Sequence, residues 1–289
     1  MQIKQISLLL LFSFYYCLSI ASQFQYFTIE NKAIDESSGL AASIDNPELL
    51  WTHNDSGNMP IIYAMDYQGR DRGTFFLDEV SNRDWEDMAS FYWNQQAYLL
   101  IADSGDNYQM YLSSFLYIFK EPSITPVNPF RYAEPRTPAW VIEYNFDDGK
   151  LYDIEAVAID IQSNKILMLT KRTNVVNVFE LPLLPRKDNF ANVQVLTAKK
   201  ITQLDYIKNP TAMDISSNAQ QAAILSYGRV YLFNKSNRQS WAESLAQPTK
   251  IIKYKGMYQP EAICFAKQNT RLYISSEKLP AKLLSIDLD

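Results

Sequence analysis

A chain of 289 residues, 47% apolar and 13% aromatic, is long enough to bury one large core. Its net charge of −5 argues against nucleic acid or an anionic membrane as partner and admits a cation. A single histidine leaves His53 as the one route to a Ser-His-Asp or Cys-His relay, and neither a Gly-x-Ser-x-Gly elbow, an HExxH helix nor a P-loop occurs.

Residues 1–22 read as a secretory signal: Lys4, an apolar run from Ile6 to Ile20, then the small residues Ala21 and Ser22. The run is shorter than the ~20 residues a spanning helix needs. A retained signal anchor is the alternative. The expected product is a secreted, monomeric single domain over 23–289 that keeps Cys264 but loses Cys17, and so has no internal disulfide.

Gln25 to Glu30 is a lone strand just after the signal. A first unit follows with strands at Gly39 to Ser43, Leu49 to His53, Ile61 to Asp66 and Gly73 to Asp78. The second has Asp87 to Tyr92, Tyr98 to Asp103, Phe115 to Lys120 and Trp140 to Phe146, with a Pro-rich insertion from Pro122 to Pro138. The third has Ala156 to Asp160, Ile166 to Thr170, Val175 to Leu181 and Val193 to Ala198. The fourth has Ala212 to Ser216, Ala222 to Ser226, Arg229 to Asn234 and Thr249 to Tyr254, with a helical turn near Trp241. The fifth stops after three: Ala262 to Ala266, Arg271 to Ser275 and Lys282 to Asp287.

A short pattern opens each unit: polar residue, spacer, then Ser, Thr or Glu, then usually a small residue and an aliphatic one. Its third position falls on Ser38, Glu86, Glu155, Thr211 and Glu261, at intervals of roughly fifty to seventy residues. Four-stranded units at that period predict an all-β propeller of five blades, or six if the long second interval hides a degenerate one. The strand at Gln25 to Glu30 is expected to complete the fifth blade and close the ring, removing exposed sheet edges.

In a propeller the start of each inner strand and the end of each second strand meet at one face, beside the channel. That gathers an acid-rich mouth. Glu86, Glu155 and Glu261, with Ser38 and Thr211 in the same register, form the oxygen set a hard cation such as calcium takes. The other reading is that these side chains only lock neighbouring blades together. Through the cation the mouth is expected to bind a small anionic or polyhydroxylated ligand, with Lys171, Arg172 and Arg229 facing a phosphate or carboxylate, Trp85 walling the mouth and Asn54, Asp106 and Asn107 adding polar contacts. If the protein is a hydrolase, Asp84 or Asp103 would be the base, or His53 beside Asp55. The alternative is a non-catalytic module presenting its mouth and insertion to a protein or glycan. Sequons occur at Asn54 and Asn234, and Asn234 is the better acceptor because a glycan on Asn54 would crowd the mouth.

The runs Ser38-Gly39-Leu40-Ala41, His53-Asn54-Asp55-Ser56-Gly57, Asp84-Trp85-Glu86-Asp87-Met88-Ala89 and Asp103-Ser104-Gly105-Asp106-Asn107 resemble those of a group of mostly bacterial secreted β-propellers of unassigned activity. Asp153-Ile154-Glu155-Ala156 and Thr170-Lys171 match a later segment of that group, while Asn209-Pro210-Thr211 departs from it. The group is distantly similar to the esterase-like phytase and calcium-activated nucleotidase propellers, which bind calcium in or near the channel; the resemblance implies the fold and secretion, and little about chemistry.

Overall fold

The computed structural model describes residues 23–124, 136–184 and 192–288. The expected signal and most of the insertion between Pro122 and Pro138 lie outside the described residues.

After β1 (Phe24–Thr28), the first unit is β2 (Ser37–Ala42), β3 (Leu49–Asn54), β4 (Ile61–Asp66) and β5 (Asp71–Phe76). The second is β6 (Trp85–Trp93), β7 (Gln96–Asp103), β8 (Ser114–Lys120) and β9 (Trp140–Phe146), and the third β10 (Ile154–Asp160), β11 (Lys165–Thr170), β12 (Val176–Pro182) and β13 (Val193–Leu204). The fourth is β14 (Pro210–Ile215), β15 (Gln221–Ser226), β16 (Arg229–Asn234) and β17 (Lys250–Lys253), with the single turn α1 (Trp241–Ser244) before β17. Last come β18 (Pro260–Phe265), β19 (Arg271–Ser276) and β20 (Lys282–Asp287).

Each unit is an antiparallel meander, and β1 joins the last one beside β20, with Phe24 opposite Ile286 and Thr28 opposite Lys282. The first strands of the units lie side by side: β2 packs against β6, β6 against β10, β10 against β14, β14 against β18, and β18 against β2. The chain is a β-propeller. Its innermost strands are buried from end to end or nearly so, and where they crowd together they carry small residues such as Gly39, Ala41, Ala156, Ala158, Ala212 and Ala262. Outer strands alternate instead, as β13 does with Gln194, Leu196 and Ala198 inward.

Apolar residues fill the spaces between consecutive sheets. Trp51, Ile62 and Phe75 of the first unit meet Met88, Leu99 and Phe119 of the second. Leu40, Tyr63 and Met65 on its other side meet Cys264, Tyr273 and Leu283 of the last. Cys264 is a buried free thiol there. Fully burying such side chains stabilises by ~1.5–3 kcal/mol each, which stands in for missing cross-links.

One strand departs from the sequence reading. Val193 to Ala198 does not edge the third unit: it runs parallel to β9, Val193 opposite Val141 and Ala198 opposite Phe146, and joins two units into one eight-stranded sheet. The following stretch, Lys199 to Leu204, pairs with β12 instead. A strand of twelve residues can serve both neighbours, satisfying a sheet edge that β9 would otherwise leave open.

Candidate metal centre

The pattern shared by the five units has a structural cause. In every unit the first strand slips by one residue against the second: between Ser37 and Gly39, Trp85 and Asp87, Ile154 and Ala156, Pro210 and Ala212, and Pro260 and Ala262. The residues skipped are Ser38, Glu86, Glu155, Thr211 and Glu261, so the repeated register is a β-bulge. A bulge leaves its extra residue out of the ladder and re-aims its side chain.

The bulged residues divide by chemistry. Ser38 Oγ donates to the Glu86 carbonyl at 2.8 Å and Thr211 Oγ1 to the Pro260 carbonyl at 3.0 Å, each tying one innermost strand to the next. These hydroxyls lock neighbouring units rather than joining the carboxylates. Glu155 and Glu261 share Lys171: its Nζ lies 2.6 Å from Glu155 Oε2 and 3.5 Å from Glu261 Oε2. Tyr227 donates to Glu261 Oε1 at 2.8 Å.

Glu86 is different. It is 5% exposed, yet its carboxylate accepts no hydrogen bond and no ion pair among the described residues. Around it are other carboxylates: one oxygen each from Asp55, Asp84 and Glu86 lie within 4.8 Å of one another, and so do oxygens of Glu86, Asp153 and Glu155. Two oxygens bound to one calcium at ~2.4 Å can be no more than about 4.8 Å apart, and both trios keep within that limit.

Counter-charges separate the trios. Arg172 reaches back to both Asp153 and Glu155, and Asp153 Oδ1 accepts the Asp106 amide at 2.9 Å. Arg172 holds a left-handed backbone, φ 57°, to do so. The second trio is thus partly neutralised. The first has no such direct partner and feels Lys171 only through space: Asp84 accepts no hydrogen bond on its carboxylate, and Asp55 accepts only from the neighbouring Ser56 amide, at 2.5 Å.

Burial and then the surrounding carboxylates push the Asp84 carboxyl up to about 7 and Glu86 well above the usual carboxylate range. Asp55 and Asp153 rise for the same first reason, and Glu261 and Glu277 reach about 7. Burial alone would lower Lys171, but Glu155 and Glu261 outweigh it and hold its ammonium charged. Gly105 presses on this cluster. A Cβ there would stand 2.2 Å from Glu86 Oε1 and 2.5 Å from Asp84 Oδ2, so the loop can approach the carboxylates only as glycine.

Several expected mouth residues point elsewhere. His53 is wholly buried, packed edge-on to Trp85 and directly over Gly39. Burial drops its imidazole to about 4, against the carbonyls of Asn54 and Asp87, so it stays neutral and cannot reach solvent to act as a base. Trp85 is also fully buried, its indole donating to the Ser81 carbonyl at 3.1 Å, and walls nothing. Asn54 spends its amide on the Ala33 carbonyl at 2.7 Å, which leaves the sequon asparagine no free nitrogen facing solvent, whereas Asn234 is exposed.

Asp103 accepts the Asp84 amide at 2.8 Å and sits 3.7 Å from Arg83, holding the loop rather than facing the mouth. Asp106 caps the amides of Met110 and Tyr111 at 2.8 and 2.9 Å. Lys171 is buried and engaged by carboxylates, and Arg172 is paired with carboxylates through Nη1 while its side chain stays 44% exposed. Asn107 and Arg229 are exposed. The carboxylates gathered around Glu86 thus include Asp55, Asp84 and Asp153, which the expected metal set of Glu86, Glu155 and Glu261 did not contain. Asp153 was findable, because Asp84-Trp85-Glu86 and Asp153-Ile154-Glu155 are the same acid-x-acid spacing in two units; Asp55 carried no such signal.

No protein-family model and no curated protein sequence matches the chain. Among solved structures it is similar to a chain of the nidogen/laminin complex, at 14% identity over 88% of this chain and 77% of that one, TM-score 0.43. It is also similar to the Dos1 propeller, at 8% identity over 86% and 68%, TM-score 0.39. A proposed 6-phosphogluconolactonase from Bacteroides uniformis aligns at 12% identity over 87% and 67%, TM-score 0.41.

Proposed function

We propose that this chain is a secreted, five-bladed propeller, closed by β1, whose channel mouth binds a divalent cation between Asp55, Asp84 and Glu86, with Glu155 at its edge. One observation carries the reading: Glu86 is a buried carboxylate with no hydrogen-bond donor, pressed against two other carboxylates. An unpaired buried charge is expensive, so such a group either holds a proton or holds a cation. The all-oxygen donor set favours calcium over zinc or copper.

A cation held at a mouth accepts further oxygens from a ligand. Because Lys171 and Arg172 are already paired, the ligand class supported best is polyhydroxylated, a sugar or polyol, rather than a phosphate. Tyr227, half-exposed beside Glu261, offers a ring for it to stack on. Binding without catalysis is the leading form. Hydrolysis is a second reading, in which the cation activates a water and the Asp84 carboxylate takes its proton.

Terbium, which replaces calcium on oxygen ligands, tests the site. Protein stripped with chelator should sensitise terbium emission through Trp85, next in sequence to Glu86, and calcium should quench it by displacement. Absence of sensitised emission, or emission unchanged in Glu86→Gln, would overturn the cation site. Turnover of aryl esters or lactones only with calcium, lost in Asp84→Asn, would move the reading to a hydrolase.

A further inference from the structure

The innermost strands end at the face opposite the carboxylates, and a cavity of about 290 Å³ opens there. Ala41, Phe91, Ile159, Ile215 and Phe265 wall it, with Tyr92 exposed at its rim. That is room for a small organic molecule between apolar walls, with Asp214, Lys267, Asn269 and several serines as the polar groups of the lining.

Asp214 lies at the inner end. It stands three residues beyond the bulge of β14, level with Ala41 of β2. Its Oδ1 accepts the Ile215 amide at 2.8 Å and its Oδ2 the Phe265 amide at 2.7 Å. An ionised carboxylate has about four acceptor positions, so roughly half of them are free. No basic side chain pairs with it among the described residues. Lys267 stands at the outer rim, its Nζ donating to the Ile44 carbonyl at 2.6 Å. Asp87, buried deeper, carries a second acid and feels the Asp214 charge. Burial without a counter-ion pushes the Asp214 carboxyl up to about 7.

We propose that this cavity binds a small organic amine, its ammonium group on Asp214 and its apolar or aromatic body between Phe91, Tyr92 and Phe265. An ammonium supplies the missing counter-charge and has three protons for the free acceptor positions. Aromatic rings at the rim add stacking against the body of the ligand. A metal ion would find one carboxylate where it needs several oxygens. A carboxylate ligand would meet like charge at the floor.

Titration calorimetry on the whole chain at about pH 8, where a carboxyl of pKa near 7 is ionised, compares phenethylamine, 2-phenylethanol and 3-phenylpropionate. Phenethylamine should bind at least about tenfold more tightly than the isosteric alcohol, a difference of about 1.4 kcal/mol, and the propionate should not bind. Asp214→Asn should lose the preference for the amine. Because that change also sets an amide donor against a backbone donor and can harm folding, Tyr92→Ala gives a second reading at the rim and should weaken the amine several-fold. Equal binding of amine and alcohol, no binding of the amine to folded protein, or propionate binding that is lost in Lys267→Met would each overturn the proposal.

Discussion

Two glycines determine how closely this molecule's polar groups can approach one another. A methyl at Gly105 would overlap both Glu86 and Asp84, so Gly105→Ala should separate the carboxylates or displace the loop. Calcium affinity should fall at least about tenfold, and overpacking should cost about 1–3 kcal/mol of stability in the cation-free protein. Calorimetry and chemical denaturation measure the two effects separately. At Gly39 the intruding methyl would sit 2.3 Å from His53 Nε2. Gly39→Ala should therefore destabilise by about 1–3 kcal/mol, and His53→Ala in the same chain should recover part of that loss. A double-mutant cycle reads the coupling, and additivity would show that the two residues do not share one space. The role of His53 was the residue-scale feature hardest to read from sequence. A lone histidine beside Asp55 looks like a base, and only the packing of Trp85 and the proximity of Gly39 show it to be a buried neutral ring.

At the scale of the element, the bulge explains both what the sequence revealed and what it hid. The recurrence of Ser38, Glu86, Glu155, Thr211 and Glu261 was plain because every unit needs a residue outside the ladder at that point. Which of them would bond backbone and which would gather as acids followed from side-chain reach, which spacing does not encode. Ser38→Ala and Thr211→Val each remove one hydroxyl-to-carbonyl bond between innermost strands. Each should cost about 1 kcal/mol in denaturant unfolding and leave calcium affinity unchanged. A loss of affinity in either would return the hydroxyls to the ligand set. Strand positions were legible from alternation and turn residues, and the meanders follow them closely. The double pairing of β13 was not, since Val193 to Leu204 holds no glycine or proline to mark where its partner changes. The engagement of Lys171 and Arg172 was equally hidden: a basic pair at a strand end reads as an anion grip until Asp153, Glu155 and Glu261 are placed around it.

For the whole molecule, the buried acids set the response to pH. Asp84, Asp214, Glu261 and Glu277 all titrate near 7 in the folded chain, raised first by burial. A carboxyl raised above its unfolded value near 4 binds more protons folded than unfolded between those limits, so stability falls as pH rises through that window. The melting temperature of cation-free protein should accordingly drop between about pH 5 and pH 8. Saturating calcium should shrink the drop, because a bound ion favours the ionised Asp84. A melting temperature that climbs over this range would mean that the acids are compensated in a way the geometry does not contain. The propeller fold itself was legible from period and strand pattern, since each unit alone leaves an apolar face that only the next one covers. Its two mouths were less so, because a cavity and a carboxylate cluster are properties of strands far apart in the chain. The most direct measurement is calorimetric titration of calcium into chelator-treated protein, with Glu86→Gln and Glu261→Gln run beside it. Saturable binding that is abolished by Glu86→Gln and largely kept by Glu261→Gln is the expected result. No heat of binding in the unaltered chain, or equal affinity in the Glu86→Gln chain, would contradict a cation site built on Glu86.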